Sequence, residues 1–236
     1  MKSEVLKVKN VARLIVAGES LTSRTCGMPG MGLIYGQTGA GKTTATTWYV
    51  NKCNGVYVRA MSLWSPSSMM KAISKELDIA PVRSLSDMAD NIVIKLAETG
   101  RPLFLDEADY LLDQKRMVEA LRDLHDLSTV PVILIGMAGI QRKIQMRKQV
   151  SGRLAQWIEF RPCDLEDVRM LASGLCEVDV ADDLVANLHT KTHGLARNIV
   201  VGLSRIEERG KRKGKDSMAL ADWPKSEPFF VGAECR

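Results

Sequence analysis

Between an apolar run, MGLIY at 31–35, and a stretch of helical character, TTATTWYVNKC at 43–53, stand eight residues, GQTGAGKT at 36–43, that leave the chain few options. A strand must end there, a loop must curl, and a helix must begin. Gly36, Gly39 and Gly41 allow successive backbone N–H groups to turn inward, and the N-terminal end of the following helix adds positive potential at the same place. That is a cradle for phosphate. Lys42 is spaced to neutralise the outer phosphates of a nucleotide, and the Thr43 hydroxyl is spaced to ligate Mg²⁺. The expected nucleotide-binding set is therefore Gly36, Gln37, Thr38, Gly39, Ala40, Gly41, Lys42, Thr43 and Thr44.

The rest of the chain repeats the strand and helix alternation. GVYVRA at 55–60 alternates as a second strand, and Ser65 with Pro66 opens a helix over SSMMKAISKEL. SLSDMADNIVIKLAETG predicts a further helix from Ser84 to Gly100, followed by PLFLDEAD at 102–109 as a third strand that ends in acids. A helix over QKRMVEALRDLHDL, a fourth strand VPVILIGM at 130–137 and a fifth, WIEFRPC at 157–163, complete the series. Strands alternating with helices imply an α/β domain over 1–163, with a parallel five-stranded sheet covered on both faces. From Asp164 the strands stop: DLEDVRMLASGL, ADDLVANLHTKT and LARNIVVGLSRIEER read as helices of a small helical domain over 164–209. The remainder, 210–236, is basic and lacks a long period, which predicts a mostly flexible tail with room for one short helix.

Bulk properties narrow the class. Five cysteines, Cys26, Cys53, Cys163, Cys176 and Cys235, form no C-x-x-C pair, which argues against a zinc knuckle or a disulfide framework and fits a reducing cytoplasm. The longest apolar run, VPVILIGMAGI at 130–140, is too short to cross a bilayer, so no membrane partner is expected. A net charge of +5 permits a polyanionic partner without requiring one.

LFLDE, ending in Asp106 and Glu107, is the second chemical element. An acid at the end of a buried strand beside a phosphate loop can hold Mg²⁺ through water, and its neighbour can orient and deprotonate an attacking water. Hydrolysis is thereby expected as well as binding, with Asp106 and Thr43 as metal residues and Lys42 and Glu107 as catalytic ones. Two competing classes fail on residue order. A guanine-reading N-K-x-D would follow the acids, whereas NKCN at 51–54 precedes them and lacks the Asp; a transporter-type S-G-G-Q would precede them, whereas VSGRL at 150–154 follows.

With these motifs in place the chain resembles the AAA+ ATPases over roughly residues 10 to 208. The resemblance implies a helical lid after the sheet, ATP with Mg²⁺ as cofactors, and an arginine finger acting on a neighbouring subunit's ATP. Arg153, in SGRLAQWIEF, matches the finger's place, with Arg147 and Arg142 as rivals; an arginine there stabilises transition-state charge in trans. Gly194-Leu195-Ala196-Arg197 matches the family's lid G-x-x-R, which would put Arg197 at the γ-phosphate, while a helix-capping glycine followed by an exposed arginine is the plainer alternative. One departure stands out. The fourth strand of the family usually ends in a polar sensor, but here it reads Ile135-Gly136-Met137, so that group is missing or comes from elsewhere.

Within the family, the compact lead NVARLIVAGES, the short segment GVYVRAMSLWSPSSMM and the lid ending GLARNIVVGLSRIEERG are similar to phage Mu-type transposition protein B and the helper ATPases of other DNA transposons. That resemblance implies an ATP-dependent oligomer, ring or helical filament, on duplex DNA that selects target DNA and stimulates a transposase. The larger members carry an N-terminal helix-turn-helix module, for which the roughly thirty residues before the loop leave no room. Candidate phosphate contacts are Arg59 and Lys71 around the loop after the second strand, and Arg142, Lys143, Arg147 and Lys148 in one basic stretch, with Lys211, Arg212, Lys213 and Lys215 as a further cluster. Few aromatic residues argue against a stacking platform for single strands. Two alternatives remain open: an AAA+ motor of a secretion system or replication loader, and a nucleotide-switched adaptor with little turnover. His125, His189 and His193 lack the spacing of a metal site or a triad and are expected at the surface or helix ends, and Trp48 and Tyr49 are expected in the core.

Overall fold

The structure is a computed structural model that describes residues 1–25, 27–80, 82–224 and 226–230. The chain divides into two compact units, one of Arg13–Thr38 with Lys42–Phe160 and one of Met1–Ala12, Gly39–Gly41 and Arg161–Arg236.

Through the first unit run α1 (Lys9–Thr22), β1 (Met31–Gly36), α2 (Lys42–Cys53), β2 (Val56–Arg59), α3 (Pro66–Glu76), α4 (Leu85–Thr99), β3 (Leu103–Asp106), α5 (Asp109–Leu112), α6 (Lys115–Ser128), β4 (Val132–Met137), α7 (Ile140–Gln145), α8 (Lys148–Ser151) and β5 (Leu154–Phe160), with α1 beginning in the other unit. The five strands form one parallel sheet in the order β2-β3-β4-β1-β5. All of β3 and all of β1 except Tyr35 are buried, as near-continuous apolar strands must be when helices cover both faces. Leu33, Val58, Leu105 and Leu134 share one cluster with Met69 and Ile73 of α3, Ile92 and Leu96 of α4, and Leu121 and Leu124 of α6. Each such side chain contributes about 1.5–3 kcal/mol by leaving water. Phe104 packs edge-on against Tyr49 of α2 with ring centroids 6.1 Å apart.

Local signals set the helix ends. Ser65 and Ser84 each accept from the backbone N–H three residues on, at 3.3 Å, opening α3 and α4. α4 stops at Gly100, whose φ is 64°. The fifth strand differs from expectation: it starts at Leu154, because pairing with Met31 of β1 begins there, and stops at Phe160, short of Pro162.

The second unit holds α9 (Leu165–Leu175), β6 (Asp179–Val180), α10 (Asp182–Thr192), α11 (Ala196–Arg212) and β7 (Ser217–Met218). Asp164 and Asp167 form a reciprocal capping box at the start of α9. Leu184 and Leu188 of α10 and Ile199, Leu203 and Ile206 of α11 are buried. The segment read above as a mostly flexible tail is packed over much of its length. β7 pairs with β6, Trp223 stacks on Phe229 at 4.8 Å, and Glu227 pairs with Arg205 at 3.4 Å and with Arg209. Two buried rings and an ion-paired carboxylate supply the contacts that composition alone did not reveal.

Cys53, Cys163 and Cys176 are free thiols, and burial pushes the Cys163 thiol up to about 12; Cys26 and Cys235 lie outside the described residues. No described helix is long and apolar enough to cross a membrane.

Candidate nucleotide-binding and hydrolysis site

β1 delivers the chain into the glycine loop at Gly36. Gly39 and Gly41 take φ of 85° and 86°, a left-handed backbone that side chains rarely adopt. Lys42 opens α2 and reaches back over the loop, its ammonium 2.8 Å from the Gly36 carbonyl and 3.0 Å from that of Gln37. Gln37, Thr38 and Thr44 are exposed, whereas Ala40 is buried and anchors the turn.

Thr43 and Asp106, expected as the metal pair, meet: the Thr43 hydroxyl donates to Asp106 Oδ2 at 3.0 Å. Asp106 is only 3% exposed, and its other oxygen accepts the Glu107 N–H at 2.8 Å. A hydroxyl beside a buried carboxylate is a hard-oxygen set suited to Mg²⁺, which takes one or two protein ligands and completes its shell with phosphate oxygens and water. Bound there through Thr43 and Asp106, Mg²⁺ would neutralise charge on the outer phosphates. Among the described residues no group of three or more His, Cys, Asp or Glu side chains forms a metal cage of another kind.

Glu107 follows Asp106 with φ of 56°, a left-handed conformation rare outside glycine. Its Oε1 lies 3.2 Å from the Arg59 guanidinium of β2. Arg59, expected as a DNA contact, thus holds the expected base. Two residues earlier on β2, Tyr57 donates its hydroxyl to Asp106 Oδ2 at 2.6 Å. Burial and then the Asp106 carboxylate push the Tyr57 phenol above its ordinary range, so it stays a donor at neutral pH. Tyr57 was missed in the sequence, although its period-two relation to Arg59 on a strand was the available signal.

Met137 ends β4, as the sequence implied, and its side chain is exposed. A carboxylate nevertheless reaches that strand end from α5, where Asp109 Oδ2 accepts the Met137 N–H at 2.8 Å. A Cβ on Gly136 would lie 2.6 Å from the same oxygen, so glycine is what lets Asp109 approach.

The arginines expected to sense or act on phosphate fall differently. Arg197 is the second residue of α11, and its backbone N–H donates to the Gly39 carbonyl at 2.9 Å, within the same unit. Arg153 is paired with Asp126 of α6. Of its rivals, Arg147 bonds the Leu112 carbonyl at 3.4 Å, and Arg142 on α7 is exposed with no ion pair among the described residues. Lys71 on α3 and Lys148 on α8 are likewise exposed without ion pairs there, whereas Lys143 pairs with Asp113 at 2.8 Å. Lys211 is spent on Glu177 and Glu207 at 2.6 and 2.7 Å, and Lys215 on Asp222. His125, His189 and His193 all stand at helix ends, though His125 is buried rather than on the surface.

The profile of the AAA domain family matches residues 27–144, half of the chain, which includes the glycine loop, both acids and β4. The chain belongs to the AAA domain family. This AAA domain protein is 29% identical over 201 residues to ORC1-type DNA replication protein 2 of Thermoplasma acidophilum, an alignment covering 74% of this chain and 49% of that one. It therefore spans about half the length of that curated relative. Its fold is similar to that of the Aeropyrum pernix ORC1 protein in complex with DNA, with TM-score 0.61 and 19% identity over 93% of this chain and 64% of that one. Cdc6p from Pyrobaculum aerophilum matches with TM-score 0.66 and 17% identity over 94% and 66% of the two chains. The Walker-type ATPase of Pyrococcus abyssi matches with TM-score 0.61 and 16% identity over 89% and 69%. The α/β fold with its five-stranded parallel sheet is thus that of P-loop AAA+ ATPases.

Proposed function

We propose that this AAA domain hydrolyses ATP as a switch gated by duplex DNA, assembling in several copies on the DNA in the service of a transposase. The observation that carries the gating is the Arg59–Glu107 pair at 3.2 Å. With 64% of the Arg59 side chain accessible, such a pair is worth at most about 1 kcal/mol, so a run of DNA phosphates can compete for the guanidinium. Losing Arg59 frees Glu107 to orient water; DNA binding and hydrolysis then share one residue. Exposed Lys71, Arg142 and Lys148 would extend the phosphate-binding surface.

The transposase role rests on the likeness in layout to the Mu-type helper ATPases. A second reading, a replication initiator or loader, is favoured by the Thermoplasma relative and by the Aeropyrum neighbour, whose structure includes DNA.

ATP turnover measured with and without duplex DNA tests the proposal. Arg59→Ala is expected to raise basal turnover a few-fold and to abolish stimulation by DNA. Glu107→Gln is expected to keep ATP binding and slow hydrolysis at least about 100-fold. No turnover in either condition would leave a nucleotide-switched adaptor instead. Strand transfer by a transposase that this chain stimulates only with ATP supports the first finer reading; ATP-dependent loading of a helicase supports the second.

A further inference from the structure

β2 engages both acids of the site from one face. Arg59 pairs in register with Asp106 and sends its side chain to Glu107, while Tyr57, paired with Phe104, sends its hydroxyl to Asp106. Among the described residues three donors reach Asp106: Tyr57 and Thr43 on Oδ2, at 2.6 and 3.0 Å, and the Glu107 N–H on Oδ1 at 2.8 Å. These contacts are not equivalent. The Thr43 hydroxyl offers its proton to Asp106, but as a ligand it would turn a lone pair to the cation, which re-aims that hydrogen bond. The Tyr57 hydroxyl and one N–H are then what fix the carboxylate.

We propose that Tyr57 is a positioning residue of the magnesium site, holding Asp106 at a set bearing toward Thr43. The inference rests on reading the loop and Asp106 as an ATP and Mg²⁺ site. A carboxylate that is 3% exposed has no water shell to orient it, so its bearing is set by the donors it meets. Arg59 is mostly accessible and can be drawn off by a polyanion, whereas Tyr57 is half-buried. The strand therefore divides the work: release of Glu107 at Arg59 need not disturb the cation held through Asp106.

The test is Tyr57→Phe in the full chain, which removes one oxygen and keeps the ring. Manganese binding in the presence of ATP, read by electron paramagnetic resonance, is expected to weaken roughly tenfold. The Mg²⁺ concentration for half-maximal turnover should rise by about the same factor, with kcat at saturating Mg²⁺ and the fractional stimulation by DNA close to wild type. Binding of a fluorescent ATP analogue in EDTA should be unchanged. Manganese binding within about twofold of wild type overturns the proposal, and so does an equal loss of affinity in EDTA, which would mark a structural role. Should the wild-type chain prove unable to turn over ATP, the hydrolysis reading fails while the manganese measurement still decides the role of Tyr57.

Discussion

Arg153 grips Asp126: its Nε lies 2.6 and 2.8 Å from the two carboxylate oxygens, a second guanidinium nitrogen bonds the same group at 2.5 Å, and the third reaches the Gln149 carbonyl at 2.8 Å. The guanidinium holds the Asp126 carboxyl below its usual range. An arginine acting on a neighbour's ATP must exchange this carboxylate for phosphate. If Arg153 serves that role, Arg153→Ala and Glu107→Gln are each nearly inactive, but a mixture recovers turnover, because one supplies the finger and the other the base. Asp126→Ala is expected to lower the protein concentration at which turnover becomes cooperative. A mixture no more active than its components would shift the role to Arg142, which is exposed and without an ion pair among the described residues.

Lys42 donates to two carbonyls of its own loop, at 2.8 and 3.0 Å, and bonds to neutral carbonyls cannot match the pull of phosphate on an ammonium. Lys42→Ala should weaken binding of a fluorescent ATP analogue about 10- to 100-fold, the loss of one charged hydrogen bond of roughly 1.5–3 kcal/mol, with little change in the unfolding midpoint. Wild-type affinity in this variant would remove the loop from the nucleotide site.

Asp109 ties the end of β4 to α5 through the Met137 N–H. Asp109→Ala should cost about 1 kcal/mol of stability. It should also slow hydrolysis without changing ATP affinity, since the strand end beside Glu107 loses its carboxylate. Asp109→Asn retains an acceptor and separates the two effects: stability returns, while turnover stays low if the negative charge is what matters. Unchanged turnover in both variants would confine Asp109 to packing.

His125 is 6% exposed, with Nδ1 2.8 Å from the Val130 carbonyl, and burial lowers its pKa. A base whose folded pKa lies below its unfolded value binds fewer protons folded than unfolded, so stability is present above the ordinary imidazole value of about 6.5 and declines as pH falls through it. Urea midpoints at neutral and mildly acidic pH should therefore fall more steeply in the wild type than in His125→Gln. Equal slopes would assign the acid sensitivity to other groups.

Much of this could be read along the chain. Apolar runs with period two, helical runs with serine caps and glycine stops, and GQTGAGKT between a strand and a helix are local patterns, and local patterns survive in sequence. They yielded the five strands and the covered parallel sheet, and they carry the expectation for Lys42, Thr43, Asp106 and Glu107. The contacts that only folding revealed are of another kind. Tyr57 and Arg59 meet Asp106 and Glu107 because β2 and β3 pair at Arg59 and Asp106, a register that no residue announces. Asp109 reaches Met137 across 28 positions, and Asp126 reaches Arg153 across 27. The packing of Trp223 on Phe229 was equally invisible, since a short aromatic-containing segment without periodicity looks unstructured until its partner is in place. The sequence by itself determined where a glycine loop, a lysine, a hydroxyl and two strand-end acids stand along the chain. The tertiary structure decided which neighbours restrain them, because hydrogen bonds and ion pairs depend on distances of about 3 Å between residues that the chain separates.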